Sequence, residues 1–319
     1  MDFDHEERDT RHRDRSQKKQ EHFKNGKHTP RTLKDRMKTP THQNENSEHE
    51  DGFNDVFETK GERRQWASET LEIISDYFAK DNFISKTKYY PEEHALSDHT
   101  FPDQDGEVHF ITSKTVNLLW DLDEETLKTM AVLNFASAKN PGGGFLNGSA
   151  GQEESLTMCS GLYPCLKDGS GKQMYELNEK DNNDCIYRSD AIYSPNVPLF
   201  RHGDGVLVDD IEKDHRRINV ISMPAVNYGA YSEKKNFSEN EYDKIMRDRI
   251  TKIFHIALEN GCTSIVLGPW GCGVFRGNLK DMTRRFAEEP LLNKFKQIYF
   301  ISTSPSEVKK MEYEWDKIF

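Results

Sequence analysis

The sequence predicts an α/β fold, and two observations carry that prediction. Twice, a short apolar run ends in a glycine-rich loop that opens onto a stretch with helical periodicity. Met130 to Phe135 leads through Pro141-Gly142-Gly143-Gly144 to Glu153, and Ser264 to Leu267 leads through Gly268 to Asn278 and on to residue 280. Loops joining strand ends to helix starts are where open α/β sheets place their ligands. A third observation limits the folded part. The first fifty residues hold only five apolar side chains, Met1, Phe3, Phe23, Leu33 and Met37. So little apolar surface cannot offset ordering entropy. Residues 1–58 are therefore expected to be a disordered charged tail, and residues 59–319 the folded domain.

The 319 residues carry 44 Lys+Arg against 55 Asp+Glu, a net charge of −11, which argues against a general nucleic-acid binder. Residues 11–40 are locally basic, with eleven Lys/Arg against three Asp/Glu. A weak polyanion contact through this stretch stands beside the plainer, preferred reading of a solvated tail. No run approaches the ~20 apolar residues that span a membrane. The N-terminus is charged from Asp2 onward and lacks the apolar core of a signal peptide. An intracellular protein, cytoplasmic or nuclear, is expected. Cys159, Cys165, Cys185, Cys262 and Cys272 form no CxxC pair and read as reduced thiols. No Cys/His cluster has zinc-ligand spacing, so no metal is expected.

Taken in order, the helical periodicity begins near Arg63. Trp66, Thr70, Leu71, Ile73, Ile74, Tyr77 and Phe78 recur at helix spacing and predict a packing face without chemistry. Residues 80–105 read as polar loop. Val108 to Thr112 alternates and Thr115 to Trp120 is apolar, so both predict strands. Asp121 to Thr129 reads as a turn or short helix, and Met130 to Phe135 as a buried strand. Leu156, Cys159, Leu162, Tyr163 and Leu166 predict one helix over 153–166. Residues 167–184 support no assignment. Pro195 and Pro198 exclude a central strand over 191–201 and predict an ordered loop or edge. Val206 to Val208 and Ile218 to Met223 predict short strands. Ile245, Met246, Ile250, Ile253, Phe254, Ala257 and Leu258 define the buried face of a helix over 241–260, which Gly261 ends. Ser264 to Leu267 predicts a strand, 280–294 a helix, and Gln297 to Ser302 a strand. A short amphipathic piece closes the chain.

Consecutive glycines at 142–144 commonly bring backbone N–H groups to an anion, most often a phosphate; a surface turn is the other reading. The pattern is neither GxGxxG nor GxxxxGK[ST], so a Rossmann nucleotide site and a P-loop are unsupported. Glu153 and Glu154 either complement a helix dipole or form an acid/base site of the kind that cleaves glycosides. Successive helical residues point about 100° apart. Both carboxylates can therefore line one concave site but cannot flank a bond from opposite faces. In the second loop, Gly271, Gly273 and Gly277 again let amides face an anion, and two such loops suit a diphosphate. Trp270 and Cys272 read as packing residues, and Cys272 has no evident His partner. Asn227 fits a pocket or a turn equally well.

The string NFASAKNPGGGFLNGSAGQEES, in which GGG is followed after seven residues by QEE, resembles the signature of microbial-type poly(ADP-ribose) glycohydrolases. Ala191 to Arg201 and Pro224-Ala225-Val226-Asn227 are similar to further family strings, with Val226 standing where the family has proline. The resemblance covers about residues 63–305. It implies a macrodomain-like three-layer α/β/α sandwich with a mixed sheet, and hydrolysis of ribose–ribose O-glycosidic bonds in poly(ADP-ribose) to release ADP-ribose. Carried over residue by residue, it makes Glu154 the general acid/base and gives Glu153 the ribose hydroxyls. It assigns Asn140, Gly142, Gly143 and Gly144 to the distal ribose and phosphates. Gly271, Cys272, Gly273, Val274 and Phe275 clamp the diphosphate, and Gln152 and Asn227 complete the binding set. No cofactor is implied. The implied partner is poly(ADP-ribose) or ADP-ribosylated protein, bound by a monomer. An ADP-ribose reader without turnover is one alternative, though the intact QEE argues against it. A mono-ADP-ribosyl hydrolase acting on protein or nucleic acid is the other.

Overall fold

The structure is a computed structural model that describes residues 31–32, 59–96, 100–181 and 185–319. Expectations for the rest of the tail, and for residues 182–184, lie outside the described residues. Within the tail, Arg31–Thr32 is a two-residue strand, β1.

From Thr59 onward the chain folds around one mixed sheet. Its strands are β2 (Lys88–Tyr90), β3 (Glu107–Thr112), β4 (Met130–Phe135), β5 (Ala191–Leu199), β6 (Arg216–Met223), β7 (Ser264–Leu267) and β8 (Gln297–Ser302), in the order β3-β8-β7-β4-β6-β5-β2. The run from β3 to β6 is parallel, while β5 and β2 add on antiparallel. β4 sits centrally, with Val132 level with Val220 on one side and Val266 on the other. Side chains alternate across the sheet. Met130, Val132, Val220 and Val266 enter one core, and Ala131, Leu133, Ile221 and Ile265 enter the other.

Helices close both cores and make three layers. On the first face lie α1 (Lys60–Phe78), α2 (Thr115–Asp121), α4 (Gln152–Cys159) and α5 (Leu162–Lys167). On the second lie α9 (Glu239–Glu259), α10 (Leu279–Ala287) and α11 (Pro305–Asp316). Short helices α3 (Glu124–Lys128), α6 (Lys172–Lys180), α7 (Ile211–Asp214) and α8 (Tyr228–Tyr231) fill the connections. α1 opens on a capping box in which Thr59 and Glu62 satisfy each other's backbone N–H. It buries Ala67, Thr70, Ile73, Ile74 and Phe78, but leaves Leu71 and Tyr77 exposed.

Several elements differ from expectation. The apolar run from Thr115 is helix α2, not a strand. Its buried residues Thr115, Val116, Leu118 and Leu119 follow helix spacing, which a short apolar run does not distinguish from a strand. The helix expected over 153–166 breaks at Ser160, four residues before Pro164, whose ring excludes a helical carbonyl at that position. β5 is a strand despite its prolines. A bulge separates Ser194 from Val197, and β2 reaches only Ala191 to Tyr193, so the proline-bearing half has no strand on its outer side. Val206 to Val208 is irregular chain after a turn, with a single bridge, Arg201 to Leu207, not a strand. α10 stops at Ala287, ahead of Pro290.

Candidate active site

The parallel strands deliver both glycine loops to one edge of the sheet. β4 ends at Phe135 and β7 ends at Leu267, side by side. A cavity of about 480 Å³ opens along this edge, within the usual range for a small-molecule site. Its wall includes Phe135, Gly151 and Gln152 from the first loop region and Pro269 and Gly273 from the second. Ser113 and Lys114 follow β3, and Ser302 ends β8 with Thr303 after it, so the cavity spans the ends of β3, β8, β7 and β4. Arg63 and Trp66 of α1 also line it. Helical periodicity marks α1 as a packing face and points to neither residue as part of a cavity. Their only signal was position, at the start of a helix. Gly148 explains how α1 gets there, since a Cβ at Gly148 would strike the Lys60 carbonyl. Arg63 Nε also donates to Gly148 O at 2.9 Å.

The first loop's glycines surround the two carboxylates. A Cβ on Gly143 or Gly151 would overlap the Glu154 carboxylate, and one on Gly143 would also crowd Glu153. Gly142 and Gly143 further take left-handed φ values of 71° and 60°, which glycine tolerates without strain. The loop's amides are occupied. Gly144 N–H donates to Glu154 Oε1 at 3.0 Å, and Gly143 N–H to Asn140 O at 2.9 Å. These two N–H groups are engaged by the loop's own carboxylate and turn. Asn140 is exposed beside it.

Glu153 and Glu154 start α4, where the helix dipole favours negative charge. Their environments differ. Glu153 is only 4% exposed. Ser137 N–H donates to its Oε2 at 2.7 Å, and Asn134 Nδ2 lies 3.4 Å from Oε1. Burial is the largest influence on Glu153 and pushes its carboxyl up to about 8; the Ser137 N–H opposes this and the Glu154 charge adds to it. Asn134 and Ser137 were not anticipated as site residues. A polar asparagine inside the apolar run of β4 was the available signal.

Gln152 serves the scaffold as well as the cavity. Its amide donates to Leu133 O at 2.8 Å and accepts from Phe135 N–H at 2.9 Å, capping the end of β4. Asn227 caps α8, accepting from Ala230 N–H at 3.2 Å, which is the turn reading. In the second loop, Cys272 N–H, Arg276 N–H and Gly277 N–H bond within the loop. Among the described residues, no protein group accepts from the N–H of Gly273, Val274 or Phe275. Three successive open amides make an anion nest. Val274 at the loop's tip is 92% exposed, and Phe275 is partly buried. Trp270 is fully buried and bonds Met223 O, as a packing residue does. Burial raises the Cys272 thiol to about 12, so it is no nucleophile at neutral pH. Among the described residues, no cluster of three or more His, Cys, Asp or Glu side chains is placed to hold a metal ion. None of the described helices is long and apolar enough to cross a membrane.

An α/β/α sandwich with paired glutamates at the start of α4, next to a strand-end cavity whose wall takes Gly151, Gln152 and Ser155 but neither glutamate, is the framework of a macrodomain-type glycosidase. Comparison with known proteins agrees and is more specific. Residues 59–202 match the model of the microbial-type PARG catalytic domain. A solved poly(ADP-ribose) glycohydrolase from Thermomonospora curvata, bound to the inhibitor ADP-HPD, is 28% identical and superposes with a TM-score of 0.69 over 81% of this chain and 100% of that one. A poly(ADP-ribose) glycohydrolase from Deinococcus radiodurans in complex with ADP-ribose is 30% identical, with a TM-score of 0.65 over 74% of this chain and 97% of that one. No curated protein matches by sequence. The chain belongs to the microbial-type poly(ADP-ribose) glycohydrolases, and its activity is that of a glycosidase.

Proposed function

We propose that Glu154 carries the acid/base step of poly(ADP-ribose) hydrolysis, and that the cavity and the second loop hold the ADP-ribose unit being released. The arrangement of the two loops carries this reading. The amides of Gly273, Val274 and Phe275 are open to a diphosphate, whereas the first loop's amides already serve Glu154. The adenosine then lies in the cavity over the ends of β3 and β8, and the distal ribose reaches the glutamates at the end of β4.

The departing ribose oxygen is a poor leaving group as an alkoxide, so it needs a proton as the bond breaks. Glu154 protonates it, and its carboxylate then takes a proton from the water that attacks the oxocarbenium-like carbon. The substrate's own diphosphate supplies negative charge near that carbon. Glu153 supports this from below: held by Ser137 and Asn134, it keeps the turn and the neighbouring carboxylate in place, and contacts ribose hydroxyls only at its exposed edge. The QEE-bearing helix start and the glycines shaped around its second glutamate favour an enzyme over a reader. Poly(ADP-ribose) and ADP-ribosylated protein are the substrates this site accommodates, with the chain acting as a monomer.

Glu154→Gln is expected to bind ADP-ribose as the wild type does and to lower kcat by about 10²–10⁴-fold. Incubation with poly- and mono(ADP-ribosyl)ated protein, followed by separation of products, checks it. Unchanged turnover in the variant overturns the assignment. Release from the mono-modified protein alone would transfer the activity to that substrate.

A further inference from the structure

We infer that Tyr187 is a specificity residue for the polymer, stacking on the adenosine of the departing chain. This rests on the placement of the released unit proposed above. Tyr187 has φ of 61°, a left-handed conformation that is unfavourable for a bulky side chain. Backbone strain of this kind persists only where the surroundings enforce it, and it gathers at functional sites. Here the enforcement is explicit. Arg249, 0% exposed on α9, donates to Ile186 O and Tyr187 O at 2.8 Å each, to Ser189 Oγ at 3.1 Å, and to Pro224 O at 3.1 Å. Asn227 N–H also donates to Cys185 O at 2.7 Å. A fully buried guanidinium thus ties an irregular segment to the end of β6.

This anchoring presents a ring. The Tyr187 and Phe275 centroids are 5.9 Å apart, with the planes tilted by 39°. Phe275 belongs to the loop whose Gly273 lines the cavity, and its carbonyl accepts from Gly229 N–H at 2.9 Å. Strand order then gives the direction. The cavity covers the ends of β3, β8, β7 and β4, the glutamates stand at β4, and Tyr187 stands beyond them beside β6. A scissile bond at Glu154 with the released unit in the cavity must extend its other half toward β6. That half is an adenosine ribose carrying a flat base, and aromatic side chains stack on any base through its π-face.

The test compares Tyr187→Gly and Tyr187→Phe with the wild type on short poly(ADP-ribose), beside free ADP-ribose binding and thermal unfolding. Glycine removes the ring and relieves the left-handed strain, so the fold is kept. Tyr187→Gly is expected to lower kcat/KM on polymer about tenfold, within the range of base–aromatic stacking, with ADP-ribose affinity and Tm undiminished. Tyr187→Phe should stay near wild type. Unchanged polymer kinetics in Tyr187→Gly, an equal loss of ADP-ribose affinity, or a Tyr187→Phe loss as large as that of glycine would each overturn the inference. Wild type and Glu154→Gln run alongside: polymer turnover that survives Glu154→Gln refutes the reaction assignment, whereas normal turnover insensitive to Tyr187 refutes this inference only.

Discussion

Glu153 and Glu154 are adjacent in sequence and opposite in circumstance. Glu154 meets a loop amide among glycines, while Glu153 is buried with a carboxyl raised to about 8. The sign of the resulting pH effect follows directly. A carboxyl whose folded pKa exceeds its unfolded value binds its proton more tightly in the native state. Its contribution to stability is complete below the unfolded value of 4.5 and is lost as pH rises through about 8. Wild type should therefore lose stability relative to Glu153→Gln across that window, with the two converging at acid pH. Unfolding midpoints measured from pH 4 to pH 8.5 check it, and a constant difference contradicts it. The sequence made both carboxylates legible as a pair. It did not show which one is dry, because dryness depends on Asn134 and Ser137 closing over Glu153, and on Tyr175 packing buried nearby.

At the scale of elements, β4 and α4 are joined by side chain as well as by chain. The Gln152 amide finishes the hydrogen bonding of β4 at Leu133 and Phe135. Gln152→Ala leaves those two backbone groups without that partner, and should destabilise the fold by about 1–3 kcal/mol. Denaturant unfolding measures it, and a change under about 0.5 kcal/mol would show the contact to be dispensable. Most strands and the long helices α1 and α9 were legible because their apolar residues repeat at period 2 or 3.6. Several elements were not, β2 among them, because Lys88–Tyr90 is too short a run to show a period. The run after Thr115 was too short for its period to decide, Pro164 interrupts an otherwise continuous helical pattern, and β5 tolerates proline only because β2 is short.

On the scale of the molecule, the expectation is that residues 59–319 build the site by themselves. Among the described residues, those that line the cavity run from Arg63 to Glu307. Removal of residues 1–58 should leave turnover of short polymers and the unfolding temperature close to those of the full chain. A lost fold or lost activity would move the domain boundary upstream. The two glycine loops are more than a hundred residues apart, yet parallel pairing of β4 with β7 sets them next to each other. They do different work there: one wraps a carboxylate, the other leaves three amides open.

By itself, the sequence determined the α/β class, the strand-to-loop-to-helix order and the paired acids, because periodicity, glycine and local charge are properties of neighbours in the chain. Only the tertiary structure decided which amides are open, which glutamate is buried, that Arg63 and Trp66 line the cavity, and that Tyr187 meets Phe275. Those depend on what packs against what, and α1, β3 and the 185–190 segment reach the strand ends from distant parts of the chain.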